Sequence, residues 1–362
     1  MRHEFWKGFN PMKYLLLIAI LLPVAASAQP QIQAVDGVIS NTKTVTIMGQ
    51  FFGAKSPAAP LKWDNFEAGS NGTQLSTVQS EWVEYVEPGA LYTTNTAHSG
   101  NLSVMNDTNR HEFATNYIDL PHSDEIFISY WWSTLEADTG DYGVIKLCRI
   151  NSSHDAGGDG RYNGVGETYL SNMNPRGPDS PYFAYNPGTG NTGPLGYVRQ
   201  PLNDWGRIDM YKKLSTPGQS NGAAFCNNIT TQRTVIENNV VTRDSGFDFQ
   251  LDTVLLGLML ANAQGYYGLY LDDIYIDNTL ARVELGNNAS FSACSHREMQ
   301  IPSAWDAQGN VIQVTVNTGS FTDGDSAWMF VVDENGSASE GFPVVISQGV
   351  VGPGRPGQPV RD

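Results

Sequence analysis

The chain has 362 residues, with 37 acidic against 21 basic side chains and a formal net charge of −16. A surface this acidic disfavours nucleic acid and anionic membranes, both of which are gripped through clustered Lys and Arg. It suits a protein that meets divalent cations, and a local basic groove could still override the global field.

The first 28 residues read as a removable export leader. Arg2, Lys7 and Lys13 precede the apolar run Tyr14–Leu22, and Ala26-Ser27-Ala28 supplies the small-x-small cleavage pattern. The run is short for a bilayer span, which takes about 20 apolar residues, and no later segment is long and apolar enough. The expected mature protein is therefore secreted and starts at Gln29, without insertion into a membrane. Losing Arg2, Lys7, Lys13 and Glu4 leaves 18 basic and 36 acidic residues.

Beyond the leader, almost nothing has a helical period. Short runs of Val, Ile, Thr, Tyr, Phe and Trp recur between clusters of Gly, Asn, Asp, Pro and Ser, which predicts an all-β protein built as sandwiches. Gln31–Val35 and Thr42–Met48 read as strands around an Asp-Gly turn region, followed by Gly49-Gln-Phe-Phe-Gly53. Pro30, Ile32, Val45, Thr46, Ile47, Gly49, Phe52 and Gly53 resemble the opening of an immunoglobulin-like IPT/TIG domain. After Pro60 that pattern stops. It resumes with Ala281–Gly286, Glu298–Pro302, Asn310–Asn317 and Ser326–Asp333, which resemble the family's remaining strands. The resemblance implies one Ig-like sandwich, 29–60 plus 280–348, interrupted by a large insert, as exposed turns tolerate.

The insert, 61–279, opens with Trp63-Asp-Asn-Phe-Glu-Ala-Gly69, passes His98-Ser-Gly-Asn-Leu-Ser-Val104 and closes with Tyr270-Leu-Asp-Asp-Ile-Tyr275. These three landmarks, in this order, resemble β jelly-roll carbohydrate-binding modules and related concanavalin-like sandwiches. From 151 to 202 runs a tract rich in Gly, Asn, Asp, Pro and Ser, with Tyr162, Tyr169, Tyr182, Phe183, Tyr185 and Tyr197 spread through it. Loops so long are functional or disordered, and the aromatics argue against simple disorder. Residues 349–362, with three prolines, read as a flexible tail. The fold expectation is thus an Ig-like β-sandwich interrupted by an inserted jelly roll.

The acidic strand Tyr270–Asp277 calls for a reason, because carboxylates are depleted in strands. In the jelly rolls it resembles, the opening glutamate and a closing aspartate hold a structural calcium ion. Carried over, the ligands are Glu67 and Asp273, with Asp272 as the alternative; a hard cation wants several such oxygens. Cys148, Cys226 and Cys294 are odd in number and lack a C-x-x-C pair, so a cysteine zinc site is not expected.

Alternation marks a ligand face. In Phe127–Trp132, Trp131 shares a side with Phe127 and Ser129. In Trp205–Tyr211, the set Trp205, Arg207, Asp209 and Tyr211 lies opposite Ile208 and Met210. This aromatic and charged strip has the chemistry of sugar sites, and Tyr185 joins it from the long tract. Val144–Arg149 adds Lys146 and Arg149, which regular alternation puts on opposite faces.

The expected function is binding of a polysaccharide or cell-surface glycan, with calcium stabilising the fold. Two alternatives stay open. The order Y-W-W, K-x-x-R-I, W-x-R-x-x-x-Y-K is also similar to concanavalin-like polysaccharide lyases, in which Tyr211, Arg207, Lys146 and His154 could serve as base, carboxylate neutraliser and acid. Against catalysis, the alginate-lyase Q-I-H and the glucanase E-x-D-x-x-E patterns are absent, and the histidines are scattered along the chain. The other alternative is a structural or adhesive surface protein.

Overall fold

The computed structural model describes residues 28–84, 89–107, 115–135, 144–152, 168–173, 181–190, 192–193, 195–198, 204–261 and 268–347. Residues 1–27 of the expected leader, the expected tail 349–362, His154 and much of the 151–202 tract lie outside them. Among the described residues no helix is long and apolar enough to cross a membrane.

Period-two burial builds the smaller sandwich. Val45 and Ile47 of Thr44–Gln50 point inward, as do Ile312 and Val314 of Val311–Thr315, while their neighbours are more exposed. These two strands pair directly, Val45 opposite Val314 and Ile47 opposite Ile312, although some 260 residues separate them. One sheet runs Gln31–Asp36, Thr44–Gln50, Val311–Thr315, Ile301–Trp305; the other runs Arg297–Met299, Arg282–Gly286, Ser326–Val332, Phe342–Val345. Phe52, Val283, Leu285, Met329 and Val331 join the strand residues in one core. The Gly49-x-x-Phe52-Gly53 motif has a steric cause here. A Cβ on Gly49 would sit 2.0 Å from the Gln31 carbonyl oxygen and 2.4 Å from the Phe52 ring, and Gly53 adopts φ +73° against Glu334.

The chain leaves this sandwich after Thr44–Gln50 and returns at Arg282–Gly286. Between lies the larger sandwich, also antiparallel. Its seven-stranded sheet is ordered Gly196–Tyr197, Pro181–Tyr185, Thr168–Met173, Val144–Asn151, Leu251–Ala261, Thr115–Ser123, Val83–Glu84. Its eight-stranded sheet is ordered Arg233–Val240, Gly222–Asn228, Gly206–Lys213, Glu125–Leu135, Gly268–Asp277, Ser103–Asp107, Leu91–Thr93, with Lys62–Asp64 also on Gly268–Asp277. Ile128, Trp132, Ile150, Leu170, Phe183, Ile208, Met210, Val254 and Ile276 fill the space between the sheets. The fold is thus all-β, an Ig-like sandwich interrupted by a large jelly-roll sandwich.

The two sandwiches dock over the outward face of the eight-stranded sheet. Phe127, Tyr211 and Tyr275 from that face pack with Leu280 and Met299 in a third apolar cluster. Around this cluster sits an unusual number of buried charges, and they decide how the predicted site residues must be read.

Candidate functional site

Gly206–Lys213 alternates as expected. Ile208 and Met210 enter the large core, and Arg207, Asp209 and Tyr211 face the other way. What they face is protein. Arg207 is wholly buried: its Nη1 lies 2.8 Å from Glu284 Oε2 and donates to the Arg297 carbonyl, and its Nε donates to Asp209 Oδ1 (3.0 Å) and Ser129 Oγ (2.8 Å). Glu284 also accepts from Arg282 Nε (2.7 Å) and Arg297 Nε (2.9 Å). Burial pushes the Glu284 carboxyl up, but Arg207, Arg297 and Arg282 outweigh it and hold the group well below the usual carboxylate range. Tyr211 donates to Glu125 and stacks on Phe225.

The expected wet strip is therefore dry. Trp131, Arg207, Asp209 and Tyr211 are inter-sandwich contacts, because a second sandwich from the flanking sequence covers the face that alternation exposes. Trp205 stays partly exposed, with its indole N–H on Thr96 Oγ1 (3.0 Å). Tyr185 belongs to the large core, its ring 5.7 Å from the buried Lys212 ammonium. Neither offers an open sugar platform.

The three carboxylates of the acidic strand take different roles. Asp277 is buried in an ion pair with Lys55 at 2.6 Å and accepts from Tyr275 Oη at 2.8 Å. Asp272 accepts backbone N–H bonds from His98, Ser99 and Asp273. Glu67 Oε1 accepts from Asn101 and Leu102 at 2.8 Å each. The predicted calcium residues Glu67 and Asp272 thus clasp the same 98–102 loop from two sides. After these amide bonds the pair keeps Glu67 Oε2 and one lone pair on Asp272 Oδ1. Calcium takes six to eight oxygens, so carbonyls and water would have to supply the remainder. Asp273 is not part of this pair. It sits at φ +46°, 2% exposed, and no donor reaches either of its oxygens at bonding geometry. Burial first, then Asp272 and Glu298, push its carboxyl well up, while His98 and the Ser99 hydroxyl act the other way.

Beside Asp273 lies a group that sequence reading passed over. His98 Nε2 is 2.7 Å and His296 Nε2 2.6 Å from the same oxygen, Glu298 Oε1. The other Glu298 oxygen accepts from Trp131 Nε1 at 3.0 Å, and the His98 ring stacks on Trp131 at 3.6 Å. His98 belongs to the large sandwich and His296 to the small one, so nothing local in the sequence joins them. The one available signal was His98 in its own landmark, five residues from the strand Ser103–Asp107.

The outward face of the seven-stranded sheet carries the remaining candidates. Leu147 and Cys148 both reach the large core. The pairing with Thr168–Met173 skips a residue there, since Cys148 faces Leu170 and Lys146 faces Ser171. This bulge returns positions 146 and 149 to one face, where regular alternation would separate them. Arg149 is opposite Tyr169 on one side and Leu255 on the other, and Tyr117 follows Leu255. In the next row Ser171 is opposite Tyr182, and Tyr182 opposite Tyr197, which is 55% exposed at the sheet edge. Arg149 itself is buried. The three cysteines are free and buried, and burial pushes the Cys148 thiol up to about 12, with Tyr130 opposing weakly.

Fold and site together define an all-β protein of two docked sandwiches. No family model and no curated protein matches the chain. Among solved structures, it is similar to the endo-β-1,4-glucuronan lyase of the fungus Trichoderma reesei, at 14% identity and TM-score 0.40, over 58% of this chain and 95% of that one. It is also similar to a marine alginate lyase from Aplysia kurodai, at 14% identity and TM-score 0.42, over 60% of this chain and 99% of that one. A Chlorella virus alginate lyase gives 12%, 0.40, 58% and 99% in the same order.

Proposed function

We propose that this chain acts on an acidic polysaccharide outside the cell, and cleaves it by β-elimination on the outward face of the seven-stranded sheet. The observation that carries the reading is the bulge at Leu147, which places the Lys146 and Arg149 positions together on a face shared with Tyr117, Tyr169, Tyr182 and Tyr197. Tyrosine rings stack on pyranose faces, and paired cations counter uronate charge on a chain whose net charge is otherwise strongly negative.

The chemistry follows from the residue types. Arg149 and Lys146 neutralise the uronate carboxylate, which acidifies the C5 proton. A tyrosine of the same face takes that proton; Tyr169 is in direct register with Arg149. The C4–O bond then breaks, a C4–C5 double bond forms, and the leaving oxygen receives a proton from the face. In this reading Lys146 keeps a role assigned from sequence, Arg149 moves from ligand contact to neutraliser, and Tyr211 and Arg207 leave the site. Calcium, as a structural ion at Glu67 and Asp272, is a separate proposal that supports the 98–102 loop and takes no part in the reaction.

The test is incubation of the full chain with alginate, glucuronan and a neutral glucan, following the ultraviolet absorbance of unsaturated uronate ends. Absorbance with a uronan and none with the glucan is expected. Retention on immobilised uronan without new absorbance would leave glycan binding and remove catalysis.

A further inference from the structure

We propose that His98, His296 and Glu298 form a binding site for a first-row transition-metal dication of the zinc class, placed so that the ion ties the two sandwiches together.

The donor set is right for such an ion. Two imidazoles and one carboxylate bring their ligand atoms within 4.8 Å of one another. Nitrogen donors select zinc-like metals over calcium or magnesium, which prefer all-oxygen shells. The spacing also fits. Both Nε2 atoms stand 2.6–2.7 Å from Glu298 Oε1, the distance of shared hydrogen bonds. A tetrahedral zinc with bonds of about 2.0–2.1 Å holds its ligand atoms roughly 3.3 Å apart. Side-chain adjustments of less than about 1 Å would therefore open the cluster around an ion.

The surroundings are built for a cation. Glu298 is fully buried, and its second oxygen is fixed by the Trp131 indole N–H at 3.0 Å. Trp131 also stacks on the His98 ring at 3.6 Å, so one side chain orients two of the ligands. One buried carboxylate and two imidazoles around one point gain from a dication what hydrogen bonds alone do not give them. Access exists from one side, where the His296 side chain is 26% exposed.

The ion would act as a staple. His98 sits in the loop clasped by Glu67 and Asp272, while His296 directly precedes the strand Arg297–Met299 of the smaller sandwich and Glu298 lies within it. The three cysteines are buried and free, so no disulfide makes this link.

The experiment uses the full chain without a histidine tag, stripped with a chelator and reloaded with zinc chloride or cobalt chloride. One zinc per chain should survive desalting, cobalt should give visible d–d bands, and zinc should raise the melting midpoint. His296→Gln keeps a hydrogen bond to Glu298 but loses the imidazole ligand. It should fold, and it should lose the cobalt bands and bind zinc more than about a hundredfold more weakly. His122→Ala, whose imidazole stands 3.6 Å from Asp252 elsewhere, should retain both. Absence of stoichiometric zinc in the unaltered chain, or equal zinc and cobalt binding in folded His296→Gln, would overturn the proposal and leave a hydrogen-bonded triad.

Discussion

Arg207 and Glu284 stand 2.8 Å apart with both side chains wholly buried, and they belong to different sandwiches. Arg207 comes from the middle of the insert, and Glu284 from the strand on which the interrupted sandwich resumes. With Arg282, Arg297 and Asp209 they form a network that orients the two bodies. Breaking one partner leaves an uncompensated charge inside. Glu284→Gln should cost about 3–5 kcal/mol, read as a lower denaturant midpoint. Glu237→Gln, on the partly exposed strand Arg233–Val240, should change the midpoint by less than about 0.5 kcal/mol.

The same carboxylate predicts a pH limit. Glu284 is held well below its unfolded value of 4.5, so its contribution to stability is complete above that pH. As pH falls below 4.5, the unfolded chain takes up a proton that the folded one resists, and stability drops. Melting midpoints measured from pH 6 downward should fall below about pH 4.5, and the Glu284→Gln variant should show a shallower fall.

The proposed reaction face separates two sets of residues that sequence reading merged. Arg149→Ala and Lys146→Ala should each lower turnover of a uronan by about 10²–10³-fold with an unchanged circular dichroism spectrum. Tyr211→Phe removes only a hydrogen bond to Glu125. It should cost about 1 kcal/mol of stability and leave turnover as it was.

Calcium is tested at the clasped loop. At a hundredfold excess over its Kd, calcium should stabilise the chain by about 2.7 kcal/mol, and Glu67→Gln should abolish that increment. If EGTA leaves the melting midpoint unmoved, the amide bonds to Glu67 and Asp272 hold the loop unaided.

Much of the fold was legible. Alternation in Thr44–Gln50 and Gly206–Lys213 marks the inward residues correctly, and the motif around Gly49 and Gly53 reflects close packing that only glycine allows. The site was less legible, for two reasons. A period of two assigns Arg207 and Tyr211 to a face but says nothing about what lies on that face. A single extra residue at Leu147 also reverses the parity that would part Lys146 from Arg149.

By itself, then, the sequence determined the strand content and the sidedness of each regular strand, because these depend on local periodicity and sterics. Only the tertiary structure decided that the charged face of the eight-stranded sheet is interior. It alone turned the acidic strand into one ion pair, one loop clasp and one buried carboxylate at positive φ, and brought His98 to His296 across 198 residues of chain. The reason is that docking joins segments far apart in the chain, whereas an alternation pattern records only each strand's own two sides.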